Sequence, residues 1–550
     1  MFQEKTVYQI YPRSFFDSNG DGIGDLRGIT MKLDYIRSLG AEIIWLTPFF
    51  LSPQRDNGYD ISDYRRIEPV FGTMSDMEEL LREADKRGIR LMLDMVFNHT
   101  STAHEWFRKA MEGSREYQEY YYFLDGAPDR PPTNWQSKFG GSAWEYVPSL
   151  GKWYLHLFDV SQADLNWSNP KVREELKDVI RFWKQKGVGA FRFDVINLIS
   201  KPDTFEDDPS GDGRKFYTDG PRVHEFLREL SRDTGLENDI TVGEMSSTSL
   251  EHCIGYTRPE NRELSMSFSF HHLKVDYRNG DKWQLQQPDL GRLRELFKTW
   301  QTGMESGGGW NALFWCNHDQ PRVVSRFGDD RLYWKQSAKM LGLCLHLMRG
   351  TPYIYQGEEL GMTNAYFRDI SKYRDVESLN YYDILLKSGM KEADVLAVLQ
   401  ARSRDNGRTP MQWNKNRNAG FSEGTPWIDI PDYKPEANAE DEENDPLSVL
   451  SFYRRLTGLR RKLPVISAGS VRFICEDCPE TIAYVREITD ASLTVICNMT
   501  SSEIQTSPPV SLSKHSFILD SYECEPTLRN GILTLRPYEG CAWLRQVPSL

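Results

Sequence analysis

The sequence has little cysteine, no long apolar run and no excess of positive charge. Eight cysteines in 550 residues are too sparse for a disulfide scaffold. A lone CxxC, Cys475 and Cys478, lacks the second pair that a structural zinc site needs, so reduced, structural thiols are expected. No stretch approaches the roughly eighteen apolar residues of a membrane span. The opening MFQEKTVYQIYP has no basic segment followed by an apolar one, which argues against a secretory signal and for a cytoplasmic protein. A formal charge of -13 argues against nucleic acid as a partner, because phosphate backbones select a basic face. It does not exclude a small phosphorylated ligand. Charges are screened over roughly 8 Å, so a local basic cluster can outweigh a distant acidic surface.

What is present is globular: 39% hydrophobic, 27% charged and 12% aromatic residues. A chain of this length predicts two or three domains, one of them a large α/β barrel. Eight short apolar runs start near residues 7, 42, 89, 188, 239, 264, 310 and 351, with helical periodicity between them. Eight β-α repeats predict a parallel (β/α)8 TIM barrel. In NPKVREELKDVIRFWKQKG, Asn169 and Pro170 take the cap and first-turn positions. Val172, Leu176, Val179, Ile180 and Trp183 then share one helical face. Uneven spacing places an inserted subdomain at 100–168, after the third strand, and a second insertion at about 365–430, after the eighth. The barrel is expected over 1–99 and 169–464, and short strands split by turns predict an all-β C-terminal sandwich over 465–550.

The polar residues that interrupt these strands gather at their C-terminal ends, in NGYD, DMVFNH, FRFD, GE and NHD. In a barrel those ends converge on one face, which carries the active site. A carboxylate at the end of a buried strand is costly unless it is paired or used. Asp194, Glu244 and Asp319, flanked by Arg192, His99 and His318 with no Cys/His metal cluster, point to glycoside hydrolysis. One acid attacks the anomeric carbon, a second protonates the leaving oxygen, and a third stabilises the cationic transition state. Arg192 lies two residues before Asp194 on the same strand face, and its guanidinium is expected to keep that nucleophile ionised.

DMVFNHT, FRFDVINLIS, VGEM and CNHDQPR resemble the four sequence regions of the α-amylase superfamily of glycoside hydrolases, and QADLNW resembles a fifth. SRDNGRTPMQW resembles the oligo-1,6-glucosidase branch. The resemblance covers essentially the whole chain. It implies a retaining mechanism with Asp194 as nucleophile, Glu244 as acid/base and Asp319 as transition-state stabiliser. It also implies that Tyr59 stacks on the sugar, and that Asp60, His99, Arg192, His318 and Arg404 hold its hydroxyls.

DSNGDGIGD, residues 17–25, alternates acids and an Asn like the start of a calcium loop. A calcium-sensing EF-hand is disfavoured, because position twelve is Gly28 and the segment leaves a barrel strand. A structural Ca²⁺ or Mg²⁺ held by Asp17, Asn19, Asp21, the Ile23 carbonyl and Asp25 is expected, as in the branch it resembles. No organic cofactor is expected.

SKFGGSAW and FSFHHLKVDYRNGDKW depart from the plain branch pattern by offering Lys138, His271, His272, Lys274 and Lys282. Several cations near a sugar cleft repel one another unless an anion joins them, and a phosphate accepts several charge-assisted hydrogen bonds. Together with GEMSSTS, these stretches resemble the trehalose-6-phosphate hydrolases. That implies a small sugar phosphate as substrate, split into glucose and glucose 6-phosphate. The alternative is an α-glucosidase acting on neutral oligosaccharides such as isomaltose. A non-catalytic transporter partner is disfavoured, since the three acids are intact and no span is present.

Overall fold

The computed structural model describes residues 2–209, 211–431 and 434–546. The outer ends of the expected domains, residue 1 and residues 547–550, lie outside them. Eight parallel strands form the centre: β1 (Val7–Ile10), β2 (Ile43–Leu46), β3 (Arg90–Met95), β4 (Ala190–Phe193), β5 (Ile240–Met245), β6 (Met266–Ser269), β7 (Ala312–Leu313) and β8 (Thr351–Tyr355). Their spatial order is β6-β5-β4-β3-β2-β1-β8-β7. A parallel bridge between Ser267 and Asn311 joins β6 to β7 and closes the barrel.

Period-two alternation divides each strand between two cores. Val7, Ile43, Trp45, Met92, Ala190, Val242, Phe268 and Tyr353 fill the barrel interior. Their neighbours Tyr8, Ile44, Leu91, Leu93, Phe191 and Phe193 pack outward under the helices. Both faces are buried, which is why the strands read as apolar runs rather than as alternating ones. The predicted helix spans Pro170–Gln185, capped by the Asn169 side chain, with Val172, Leu176, Val179, Ile180 and Trp183 all buried.

Between β3 and β4, strands Phe123–Asp125, Lys152–Leu155 and Trp144–Val147 form a small antiparallel sheet. Its core of Trp135, Trp144, Trp153 and Leu155 is completed by Val195, Leu198 and Tyr217 from the loop after β4. Gly213 in that loop lets the chain cross the Trp135 ring, since a Cβ there would lie 2.3 Å from the ring carbon. After β8, helices Val376–Lys387 and Glu392–Arg402 form the second insertion. The two insertions meet: Gly140 packs on Ile384, and the Arg404 guanidinium lies 5.0 Å from the Phe139 ring centroid.

The C-terminal region forms a five-stranded antiparallel sheet facing a three-stranded one. GILTLRPYEGCAWLRQ yields two strands, Ile532–Leu535 and Gly540–Gln546, broken at the intervening turn. On Thr481–Ile488, Ala483 and Val485 face the small sheet, while Ile482 and Tyr484 face the barrel. Arg486, on the barrel side, donates to the carbonyls of Ser470, Leu347, Ile466 and Gly469 and stitches the two units together. The eight cysteines are free thiols, Cys475 buried and Cys478 half-buried. No helix among the described residues is long and apolar enough to cross a membrane.

Candidate active site

The site grows from one register match. β3 and β4 pair Asp94 with Arg192, and partners in a parallel ladder point to the same side, here the interior. The Asp94 carboxylate is completely buried. It accepts from Arg192 Nη1 at 2.5 Å, Trp45 Nε1 at 3.1 Å and the Tyr59 hydroxyl at 2.9 Å. Arg192 then faces the open end of the barrel. Its Nη1 donates to Asp194 at 2.8 Å and its Nη2 pairs with Glu244. One guanidinium therefore brings the acids of β4 and β5 together. Val195, directly after Asp194, turns away in a left-handed conformation at φ 35°, a costly state for a β-branched residue.

Burial pushes Asp194 up to about 6, against the pull of Arg192. Arg192 pulls towards the ionised form, but desolvation of a buried carboxylate outweighs one paired charge. Asp319 goes the other way. Burial opposes its ionisation, but His318, Arg404 and Arg408 together hold it well below the usual carboxylate range. Its Oδ1 accepts from Arg408 Nη2 at 2.7 Å and Arg404 Nη1 at 3.3 Å. Burial lowers His318 to about 3, so its ring is neutral. Gln9 Nε2 donates to His318 Nδ1 at 2.8 Å, which leaves the Nε2 proton facing Asp319 at 3.4 Å. Tyr59 stacks on this ring, centroids 5.1 Å apart and planes 3° from parallel. His99 is buried beside the Tyr59 carbonyl and the Gln162 side chain.

Asp60 does not reach this cluster. Its carboxylate is consumed by the Ser52 hydroxyl and the N–H groups of Arg55 and Asp56. Asp56 stands there instead, accepting from Arg404 Nη2 at 3.0 Å and Gln162 Nε2 at 3.1 Å. Arg404 is held from its other side by Asp375, the cap of the second insertion's first helix. That insertion therefore reaches the acids.

The five basic candidates separate. His272 donates from Nε2 to the Phe314 carbonyl and packs against Phe297, Phe314 and Trp315, so it belongs to the core. His271 stacks on Trp300 of the helix behind β6, centroids 4.4 Å apart. Burial lowers both imidazoles to about 4, leaving them uncharged. Lys282 is paired with Glu377 at 2.6 Å. Lys138 and Lys274 are half-buried, and neither is in an ion pair among the described residues. Lys138 Nζ donates to Ser246 Oγ at 3.3 Å, two residues beyond Glu244.

The loop at 17–25 closes on itself. Asp17 accepts from the N–H groups of Asn19, Gly20 and Gly22 and from the Ser422 hydroxyl. Asp25 caps helix Leu26–Met31 through Gly28 and also holds Ser18. The expected ligands are all oxygen donors, which fits a hard cation. Their carboxylates do not form a close trio, however. Among the described residues the close trio is Asp520, Glu539 and Cys541 in the C-terminal domain. There Arg536 pairs with Glu539 and the Cys541 thiol donates to Asp520.

Residues 9–469 match the α-amylase catalytic-domain family. The chain belongs to the α-amylase family. Within it, this chain is 52% identical over 549 residues to a trehalose-6-phosphate hydrolase of Bacillus subtilis, covering 98% of each chain. It is 51% identical to one of Escherichia coli, covering 99% of each. A Bacillus licheniformis trehalose-6-phosphate hydrolase structure superposes with a TM-score of 0.96 at 52% identity, covering 99% of this chain and all of that one. An oligo-1,6-glucosidase of Parageobacillus thermoglucosidasius is 45% identical, covering 100% of this chain and 99% of its own.

Sequence reading missed Asp94, Asp56, Gln9, Arg408 and Asp375 in this α-amylase-family site. Asp94 carried a signal, as the acid two residues after Met92 on the inward alternation of RLMLDM, where the other charge, Arg90, starts the strand and is exposed. Arg408 lies one helical turn after Arg404 in SRDNGRT. Gln9 and Asp375 carried none, because the partner of Asp375 is 29 residues away and that of Gln9 is 309.

Proposed function

We infer that this protein is a retaining glycoside hydrolase that splits trehalose 6-phosphate into glucose and glucose 6-phosphate. What carries the reading is full-length identity of 51–52% to trehalose-6-phosphate hydrolases, in a chain whose three acids meet on one barrel face. Asp194 attacks the anomeric carbon of the unphosphorylated glucose. Glu244, across the same guanidinium, protonates the departing oxygen and then activates the water that frees the sugar. Asp319, kept ionised by two arginines, faces the positive charge that develops on the ring. Tyr59 stacks beneath the sugar. His99, His318, Arg404 and Asp56, in place of Asp60, take its hydroxyls.

A sugar phosphate does not cross a bilayer unaided, so the reaction is assigned to the cytoplasm, where the free thiols also stay reduced. The loop at 17–25 is assigned a structural Ca²⁺ or Mg²⁺, with the barrel chemistry itself needing no organic cofactor.

The test is to incubate the purified protein with trehalose 6-phosphate, trehalose, isomaltose and sucrose and to follow both products. Equimolar glucose and glucose 6-phosphate from the phosphorylated sugar, with little turnover of the others, supports the assignment. Preference for isomaltose would overturn it in favour of an oligo-1,6-glucosidase.

A further inference from the structure

The ring of His318 is fully buried and closely packed. The rings of Tyr59 and Tyr11 lie nearly parallel to it, at 3° and 12°, and Trp45 meets it at 88°. Arg408 donates to its backbone carbonyl at 2.8 Å. These contacts fix where the ring lies. They do not decide which nitrogen carries the proton, because none of them is a hydrogen bond to a ring nitrogen.

Two polar groups decide that. Burial keeps the ring neutral, so it carries one proton. Nε2 lies 3.4 Å from Asp319 Oδ2 and has no hydrogen-bond partner among the described residues. Asp319 is held ionised by Arg404 and Arg408. A bare nitrogen at that place would set a lone pair against a buried negative charge, so the proton belongs on Nε2. Nδ1 is then a buried acceptor and needs a donor. The Gln9 amide supplies it at 2.8 Å. Strand β1 aims that amide. Its ladders pair Gln9 with Trp45 of β2 and Tyr355 of β8, both in the interior core of the barrel. Gln9 is itself 1% exposed. An amide donates there without ionising. A carboxylate of the same length can only accept, and would draw the proton to Nδ1.

We propose that Gln9 is a positioning residue of the reaction: by donating to Nδ1 it holds His318 in the tautomer whose Nε2 proton is free for a hydroxyl of the glucose being cleaved off. The proposal rests on the sugar-binding role assigned to His318 above. Gln9 touches no substrate in this arrangement and acts through the ring. The charged and titratable groups that face the ring are Asp319 after β7, Arg192 on β4, Arg404 and Arg408 after β8, Tyr11 after β1 and Tyr59 after β2. The three arginines oppose a positive ring, and Asp319 alone favours one.

The experiment reads tautomer and kinetics together. The wild-type protein is labelled with nitrogen-15 in its ten histidines, and the His318 signals are assigned by their loss in His318→Asn. They should show a bare Nδ1 and a protonated Nε2 throughout the range in which an ordinary histidine titrates. Steady-state rates of Gln9→Glu and Gln9→Leu are then measured against pH, with trehalose 6-phosphate and with p-nitrophenyl α-glucoside. In Gln9→Glu the introduced carboxylate favours the charged ring. At low pH both nitrogens carry protons and kcat survives. As pH rises the last proton stays on Nδ1, beside the nearer and unpaired carboxylate, and Nε2 is left bare. kcat for both substrates then falls about tenfold per pH unit, and the alkaline loss begins at lower pH than in wild type. Gln9→Leu removes the donor and adds no charge, so kcat falls about tenfold at every pH with no displaced limb. A protonated Nδ1 in the wild type, or a Gln9→Glu profile parallel to that of Gln9→Leu, would overturn the assignment, and the first of these needs no variant to fold. A wild-type preference for isomaltose would overturn the functional reading instead and leave Gln9 in its role, since the cleaved glucose is common to both substrates.

Discussion

Two cationic regions flank the same acids, and they are built in opposite ways. Around Arg192, Arg404 and Arg408 each guanidinium meets carboxylates from more than one element. Lys138 and Lys274, by contrast, are in no ion pair among the described residues, and burial lowers both below the usual lysine range. The first arrangement is complete before any ligand arrives, and its balanced charges hold rigid contacts for a neutral sugar and its transition state. Matched and unmatched cations thus stand close to the same acids.

The largest expected effect lies in the paired region. Asp194→Asn should lower kcat/KM by at least about 10⁴-fold for phosphorylated and neutral substrates alike, measured by steady-state kinetics. A drop confined to one substrate would break the division between the regions. Glu244→Gln should cost about 10²–10⁴-fold, less for an aryl glucoside whose leaving group needs little protonation.

Asp94→Asn should be next. It keeps the shape but leaves Arg192 with less negative charge in the barrel interior, and breaking a buried pair costs about 3–5 kcal/mol. Urea unfolding should show that loss, and kcat should fall for both substrates. Unchanged stability would mean that Arg192 does not depend on its partner in the ladder.

The pH profile sharpens the comparison further. Asp194 acts as a carboxylate and burial lifts it to about 6. kcat/KM for the neutral aryl glucoside should therefore hold above that value and fall about tenfold per pH unit below it. Trehalose 6-phosphate should share the acid limb and add a loss above about 8, where Lys138 discharges. Identical alkaline limbs for the two substrates would remove the distinction. The smallest effect is at the loop of residues 17–25. A chelator should lower Tm by a few degrees, restored by Ca²⁺, because a cation bound only to the folded state stabilises it. The ratio of the two KM values should not move.

The barrel was legible because its evidence is periodic. Eight apolar runs with helices between them admit few other folds, and all eight became strands that begin within two residues of the expected starts. The acids were legible because a charge at the end of such a run stands out. The loop strands of the C-terminal domain, Ile504–Thr506 and Thr527–Arg529, were not, since three residues in turn-rich sequence show no period.

Misplacements among site residues have a common cause. Asp60 and Asp56 are both acids in QRDNGYD, and only the turn between them decides which faces the cleft. His271 and Lys274 sit three residues apart on one short turn, yet one stacks on Trp300 of an outer helix and the other is in no ion pair among the described residues.

By itself the sequence determined the barrel, its two insertions and the strand ends that carry the acids, because periodicity and burial are local in the chain. The tertiary structure alone decided which charges are paired. Arg192 is matched by Asp94 from 98 residues away, Lys282 by Glu377 from 95, and Arg404 by Asp56 from 348. Electrostatic pairing acts over a few ångströms of space, and distance along the chain does not report it.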